Sequence, residues 1–346
     1  MKNMILRFGI ACSCLLTAGI AGAQQDINFS QFYELPLLRN PALAGIFNGN
    51  VRFTGAYRNQ WQSITVPYQT MALGIEYKFF KGLAQGDFVT TGLQITNDRA
   101  GDSRLQRSQL FPVLNYHKLL NPDKETYISA AFMGGPVYEN FDPSKLKFDD
   151  QFVNGSYSAS NPTAQTFSKT SFNYLDASTG ISFSSLLNNN LRFYFGAGMY
   201  HFTRPALTFM SDANVRLNKK YVFSTGLSTY TNLDDRIVVY ADYFIQGGDR
   251  MLQGGMLYTH NFDHTGDNAR LSVSGGAVYR YKDALIPVVK INTNKMSIGL
   301  SYDVNISKLT TASQYRGGFE LTLSYLDLWN AISNDASKVN CPVNIW

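Results

Sequence analysis

The sequence predicts an all-β chain: a transmembrane antiparallel β-barrel of about 14 strands, with a plug-like segment ahead of the first strand. Three observations carry that expectation. Charged residues are 16% and aromatics 14%, with 21 Tyr and 24 Phe, whereas a soluble domain carries about 25% charge. Short stretches alternate apolar and small polar residues with a period of two, and no uninterrupted apolar run of about 20 residues follows the N-terminal region. The connections between these stretches alternate in length, as turns and loops on opposite sides of a membrane do.

Taken in order, the first residues, MKNMILRFGIACSCLLTAGIAGAQQ, have the layout of a secretory signal. Lys2 and Arg7 form a positive head, 8–20 an apolar core, and Ala21-Gly22-Ala23 a small-residue cleavage site. Cleavage after Ala23 removes Cys12 and Cys14, so Cys341 is the one remaining thiol and no internal disulfide holds the fold. Losing Lys2 and Arg7 lowers the formal charge from +5 to +3. That excess is spread along the chain, without the basic block that nucleic acid attracts, so nucleic acid is not an expected partner. The expected division is a signal peptide over 1–23, an N-terminal periplasmic or lumenal plug segment over 24–49, a barrel over 50–327 and a periplasmic C-terminal tail over 328–346. Both termini are expected on the periplasmic side.

RNPALAG, 39–45, has neither strand alternation nor a helical stripe. Pro41 fixes one torsion and Gly45 frees another. Two readings stand side by side. Asn40-Pro41 initiates a turn before strand one, or 31–47 folds back to close the periplasmic end of the barrel, with Asn40 hydrogen-bonded to the wall.

Strands are expected near 50–58, 66–79, 88–98, 105–118, 125–138, 172–187, 190–202, 219–231, 235–247, 250–262, 270–281, 283–292, 295–303 and 317–327. The count is even, as bacterial single-chain barrels require. In TMALGIEYKF, Met71, Leu73, Ile75, Tyr77 and Phe79 oppose Ala72, Gly74, Glu76 and Lys78. In LDASTGISFSSL, Ile181, Phe183 and Leu187 oppose Asp176, Ser178, Gly180, Ser182 and Ser184. KMSIGLSYD and FELTLSY alternate in the same way. Pro287 interrupts one stretch, because proline cannot donate to a ladder. A secreted sandwich shares the alternation, but it has no reason to sort its loops by parity. With the long connections 139–171, 203–218 and 304–316 outside, the short ones fall inside, and NPDK, NNN, NLDD and HTGDN supply turn formers.

On this parity Glu76, Lys78, Asp176, Arg192, Asp242, Arg280 and Glu320 point into the lumen, where they pair with one another or with the plug. Nothing in the chain reads as catalytic. Asp263-His264 with Asp267 falls in a predicted turn where water wets it. His260 and His264 are four apart on a strand entering a turn, a spacing that aligns ligands only on a helix. His201 ends a strand beside Arg204 and reads as an interface residue. Asp149-Asp150 lacks the oxygen-ligand ladder of a calcium loop. No phosphate loop or nucleophile elbow appears, and no enzyme activity, metal or cofactor is expected.

DINFSQFYELPLLRNPALAG followed by YRNQW resembles the N-terminal signature of PorP/SprF family outer-membrane proteins, which belong to the type IX secretion and gliding motility systems of Bacteroidetes. LKFDDQF, FNYLDASTGI, YFGAGMYHFTRPALTF, YKDALIPVV, IGLSYDVNISKLTTASQYRGGFELTLSY and Cys341-Pro342 follow in the family's order. The motif positions are Gln31, Asn40, Pro41, Ala42 and Gly45, then Arg58, Asn59, Gln60 and Trp61. The resemblance implies an outer-membrane barrel that binds, helps export or anchors a large adhesin-like secreted protein through its C-terminal sorting domain. It also implies contact with secretion components, among them a periplasmic lipoprotein. The end of the chain, VNIW, departs from the family's basic-aromatic finish. Asn40-Pro41-Ala42 is also similar to a motif of FadL-type barrels, which have fourteen strands and a small hatch in the lumen. That likeness implies the alternative of a transporter for small hydrophobic molecules. A third reading is a structural component of the secretion machine. Phe148, Phe152, Tyr157 and Phe167 in the long loop are the expected partner-binding aromatics.

Overall fold

The computed structural model describes residues 26–326 apart from 63–65, 80–85, 154, 189, 208, 210–214, 263, 266–267, 270 and 294. The expected signal peptide, Asp263, Asp267, Cys341 and the C-terminal tail lie outside the described residues. Fourteen antiparallel strands form a closed barrel: β1 (Val51–Gln60), β2 (Tyr68–Phe79), β3 (Phe88–Ala100), β4 (Leu105–Asn121), β5 (Thr126–Asn140), β6 (Ser171–Asn188), β7 (Leu191–Tyr200), β8 (Lys220–Tyr230), β9 (Asp235–Gln246), β10 (Asp249–Asn261), β11 (Leu271–Arg280), β12 (Ala284–Thr293), β13 (Met296–Asn305) and β14 (Arg316–Leu326). Each strand pairs with its sequence neighbours, and β1 closes on β14 with Arg58 opposite Glu320. Closure leaves no open edge, so every strand finds backbone partners on both sides, which a hydrocarbon environment demands.

The period of two decides which residues face out. On β14 Phe319, Leu321 and Leu323 are exposed while Glu320 and Thr322 between them are buried. On β2 Met71, Leu73 and Tyr77 are exposed, and Ala72, Glu76 and Lys78 are buried. This is the inverse of a soluble protein: the apolar face is outside, where lipid replaces a core. No helix is long and apolar enough to cross a membrane, which says nothing of strands.

Pro287 sits inside β12. Pairing with β13 runs Ala284–Asn305 and Leu285–Val304, then resumes at Val288–Ser301. The barrel tolerates this proline because the ladder skips it. A second interruption separates β4 from β5, where pairing stops at Gln109–Val137 and resumes at Val113–Met133. Pro112 and Pro136 lie in that interval.

The two ends of the barrel differ. One end carries 61–67, 101–104, 141–170, 201–219, 247–248, 281–283 and 306–315, including every long loop. The other carries 80–87, 122–125, 189–190, 231–234, 262–270 and 294–295. Residues 26–47 run through the lumen between the two ends, most of them buried. They form two 3-10 turns, Phe32–Glu34 and Pro41–Leu43, and one helical turn, Pro36–Arg39. Pro36 and Pro41 each occupy the first position of a turn, where the missing N–H costs nothing.

Candidate functional site

The occupied lumen is a stack of polar layers. At the long-loop end Asp26 is the centre. Arg107 donates to Oδ1 at 3.0 Å and Lys220 to Oδ2 at 3.1 Å, while His201 Nε2 lies 3.4 Å from Oδ2. The Asp26 N–H donates to Gln246 at 2.9 Å. His201 Nδ1 meets Asp176 at 2.5 Å, and Thr203 donates to the other oxygen of Asp176 at 3.2 Å. Burial alone would raise the Asp26 carboxyl, but Lys220, His201 and Arg107 outweigh it and hold it well below the usual range. Burial alone would likewise lower His201, and the charges and hydrogen bonds of Asp26 and Asp176 hold it above the ordinary histidine value.

One layer down, the N–H groups of Ser30 and Gln31 each donate to Glu320 at 2.7 Å. Arg58 bridges Glu320 at 3.1 Å and Asp303 at 2.7 Å. Arg280 joins Asp303 at 3.1 Å, Asp283 at 2.9 Å and the Ser30 hydroxyl at 2.9 Å. The Gln31 amide donates to Ser301 and accepts from Thr322, at 3.0 and 3.1 Å. Phe32 packs on Phe244 and Tyr33 on Tyr240, with centroids 5.1 and 5.0 Å apart. Glu34 pairs with Lys290 at 2.5 Å.

The RNPALAG stretch makes the next set of contacts. Arg39 pairs with Asp242 at 2.7 Å with both side chains 0% exposed, its guanidinium lying over Tyr194 and Tyr240. Asn40 acts with both ends of its amide: Oδ1 accepts from the Ala42 N–H at 2.9 Å, capping the turn, and Nδ2 donates to the Ile181 carbonyl at 3.0 Å. Asn115 donates to the carbonyls of Ala42 and Ala44, and Ser182 to that of Ala42. His117 Nε2 is 2.7 Å from the Ala44 carbonyl, so this nitrogen carries the proton and Nδ1 accepts from Ser129 at 2.7 Å. At the short-turn end the Gly45 N–H donates to Glu76 at 2.8 Å, Glu76 is gripped by Arg52, and Lys78 donates to the Phe47 carbonyl.

Glycines in the wall make room for this segment. A Cβ at Gly180 would stand 1.9 Å from Asn40 Oδ1, and one at Gly196 2.8 Å from Asn40 Nδ2. Gly45 itself has φ +86°, a left-handed conformation that a side chain disfavours.

All seven charged positions read as inward are buried within the barrel: Glu76, Lys78, Asp176, Arg192, Asp242, Arg280 and Glu320. Glu76, Lys78, Asp242, Arg280 and Glu320 contact the segment directly. Asp176 serves His201, and Arg192 pairs with Glu125 at the short-turn end. Of YRNQW, only Arg58 reaches the segment. Buried Asn59 and half-buried Gln60 complete β1, and Trp61 (φ +63°) leaves it with its N–H on the Gly317 carbonyl. Sequence reasoning missed Asp26, Ser30, Arg39, Arg52, Asp303 and the Asn115–His117 pair as lumen contacts. Asp303, Arg52, Asn115 and His117 carried a readable signal, since each stands opposite an apolar set on its strand, as Asn115 and His117 do to Leu114 and Tyr116; Asp26, Ser30 and Arg39, outside any strand, carried none.

Segment 31–47 lies in the lumen together with 26–30, and together they supply partners to inward charges of the wall. Asp26 stands at the long-loop end of the segment.

The long loops are built from aromatics. Phe141 contacts Phe167 and Phe209 at 5.0 and 4.8 Å, Phe209 contacts Phe172 at 4.7 Å, and Phe148 contacts Phe167 at 6.1 Å. Phe148 and Phe167 are therefore half-buried ties within the 141–170 loop rather than free surface, and Phe141 joins that loop to Phe209 of 201–219. Phe152 and Tyr157 face each other across a small hairpin, Phe152–Val153 against Ser156–Tyr157, with Phe152 53% exposed. Asp150 accepts from Thr163 and the Ala164 N–H, which fixes the loop internally. Among the described residues no group of three or more His, Cys, Asp or Glu side chains is placed to hold a metal ion.

Fold and lumen together define a β-barrel of the outer-membrane type whose interior is occupied by its own N-terminal segment. The chain matches the family described as type IX secretion system membrane protein PorP/SprF over residues 21–325, and it belongs to that family. No curated protein matches it. Among solved structures it is similar to the CymD monoaromatic hydrocarbon channel, with 8% identity and TM-score 0.48, covering 88% of this chain and 94% of that one. A FadL homologue of Pseudomonas aeruginosa has 8% identity and TM-score 0.48, covering 83% and 92%. The KdgM porin in complex with disordered oligogalacturonate has 9% identity and TM-score 0.36, covering 79% and 98%.

Proposed function

We propose that this barrel acts through its long-loop face, where it binds, helps export or anchors a large type IX secreted surface protein by that protein's C-terminal sorting domain. The observation that carries this reading is the occupied lumen. A segment hydrogen-bonded to the wall from one end to the other suits a closed docking platform better than a conduit. Family membership supplies the secretion context, and the aromatic-tied loops supply a surface with exposed apolar anchors such as Phe152. The reading involves no catalysis and no cofactor. A periplasmic lipoprotein of the same machine would meet the short-turn end. Gentle detergent extraction from expressing cells should recover the barrel with one large secreted protein. Recovery of the barrel alone at good yield would count against the reading, and a deletion that blocks export of every substrate would favour a structural role in the machine.

A second reading is transport of small hydrophobic molecules. It draws on the break in the β4–β5 ladder, where Pro112 and Pro136 leave the wall without continuous pairing. Cross-linking the two strands at that break should abolish uptake of an aromatic hydrocarbon if the wall opens there, and leave protein export unchanged.

A further inference from the structure

The stretch 40–47 takes up only part of the lumen toward the short-turn end. Its polar contacts go to Glu76 and Lys78 on β2, Asn115 and His117 on β4 and Ser182 on β6. Along β9 to β14 the same end holds an open cavity of about 280 Å³. Small-ligand pockets start at about 300 Å³. Tyr33 and Glu34 of the segment line this cavity, so it is a pocket set against the occupied lumen.

One wall of the pocket is a band of hydroxyl and amide side chains running across four strands. Thr259 Oγ1 lies 2.8 Å from Ser274 Oγ. Asn292 donates to Ser272 and Ser274 at 3.2 and 3.3 Å and accepts from Ser297 at 2.7 Å. A hydroxyl carries one donor and two acceptor sites, so these bonds fix the band and leave it capacity for a ligand. The charge is one-sided. Arg52, Arg236, Lys290 and Lys295 line the pocket, and Glu34 is the one carboxylate among its lining residues. Arg52 is held by Glu76 at 2.8 Å and Lys290 by Glu34 at 2.5 Å. Arg236 donates to Ser228 at 2.8 Å and lies over the Tyr230 ring, and Lys295 is exposed just before β13. A wet lumen needs polar side chains but no excess of one sign. Cations in a concave, low-dielectric site focus their field on an anion.

We propose that this pocket binds a small anionic, hydroxyl-bearing ligand the size of a single sugar ring, a sugar acid or a sugar phosphate, entering from the short-turn end. The acid group meets Arg236 and Lys295, and the hydroxyls meet the band centred on Asn292. The site is separate from the long-loop face, so it stands whether or not that face docks a secreted protein.

Calorimetric titration of the purified full chain in detergent micelles at low salt tests it, with glucuronate, glucose phosphate, glucose and inorganic phosphate as probes. Glucuronate or glucose phosphate should bind saturably, and the tighter of the two names the acid group. Glucose lacks the charge and inorganic phosphate lacks the ring, so each should bind at least about tenfold more weakly. Arg236→Gln should weaken the acid probes by a similar factor, and Lys295→Gln, at an exposed position, should act in the same direction even where the first variant does not fold. Ser324→Trp fills the pocket while leaving its charges in place and should abolish binding. Heat-modifiable gel migration checks that each variant is folded. Absence of saturable binding by both acid probes, equal binding of inorganic phosphate, or binding unmoved by Ser324→Trp would overturn the proposal. Preference for a short Glu-rich peptide over both sugars would assign the pocket to a polypeptide and overturn it as well.

Discussion

At the scale of single residues, the lumen is governed by the cost of burying charge. Arg39 and Asp242 are fully buried, and each is tolerable only because the other is there. Arg39→Met should destabilise the folded barrel by about 3–5 kcal/mol by stranding Asp242, and the double substitution with Asp242→Leu should restore most of it. Denaturant unfolding in detergent micelles checks both. Asn40 depends on two glycines. Gly180→Val should push the Asn40 amide off the wall, at about 1–3 kcal/mol, seen as faster proteolysis within 26–47 with the strands intact.

Asp26 and His201 set a pH window. The folded pKa of Asp26 is below 3.8, so its contribution is complete above 3.8 and is lost as pH falls through the lowered value. The folded pKa of His201 is above 6.5, so its contribution is complete below 6.5 and is lost as pH rises through the raised value. Amide exchange at residues 26–31, corrected for intrinsic rates, should therefore show protection that declines as pH rises above 6.5 through the raised His201 value. His201→Asn should flatten that decline; an unchanged slope in the variant would assign it elsewhere.

At the scale of elements, the strands were legible because the barrel wall sets an apolar face outside on strand after strand, while the inside mixes small and polar residues with apolar ones such as Phe244 and Val238 that join clusters with the lumenal segment. Glu320 between Phe319 and Leu321 is readable without knowing what it binds. Its partners were not readable, because Ser30 lies 290 residues away along the chain. Segment 26–47 has no periodicity to betray its path. Arg39 meets Asp242 across 203 residues, a pairing that only three-dimensional closure reveals. The long-loop aromatics were legible as a group but not in role, since aromatic rings serve equally to join loops and to meet partners. That ambiguity yields a prediction. Phe152→Ala, on the exposed hairpin, should weaken capture of the secreted protein roughly tenfold or more, as loss of an interface anchor does, without altering heat-modifiable gel migration. Phe141→Ala should instead loosen both long loops, read as new protease cleavage in 141–170 and 201–219.

For the whole molecule, the account joins a family membership, a closed wall and an occupied interior. The wall places the protein in the outer membrane, and the occupied interior turns attention from passage through the barrel to binding on its face. That central claim is tested most directly by single-channel conductance in planar bilayers, comparing the intact protein with a variant lacking residues 26–47. The account predicts that the intact barrel stays closed to small ions and that the deletion opens a stable conductance. A sustained conductance of the intact barrel equal to that of the deletion would contradict it.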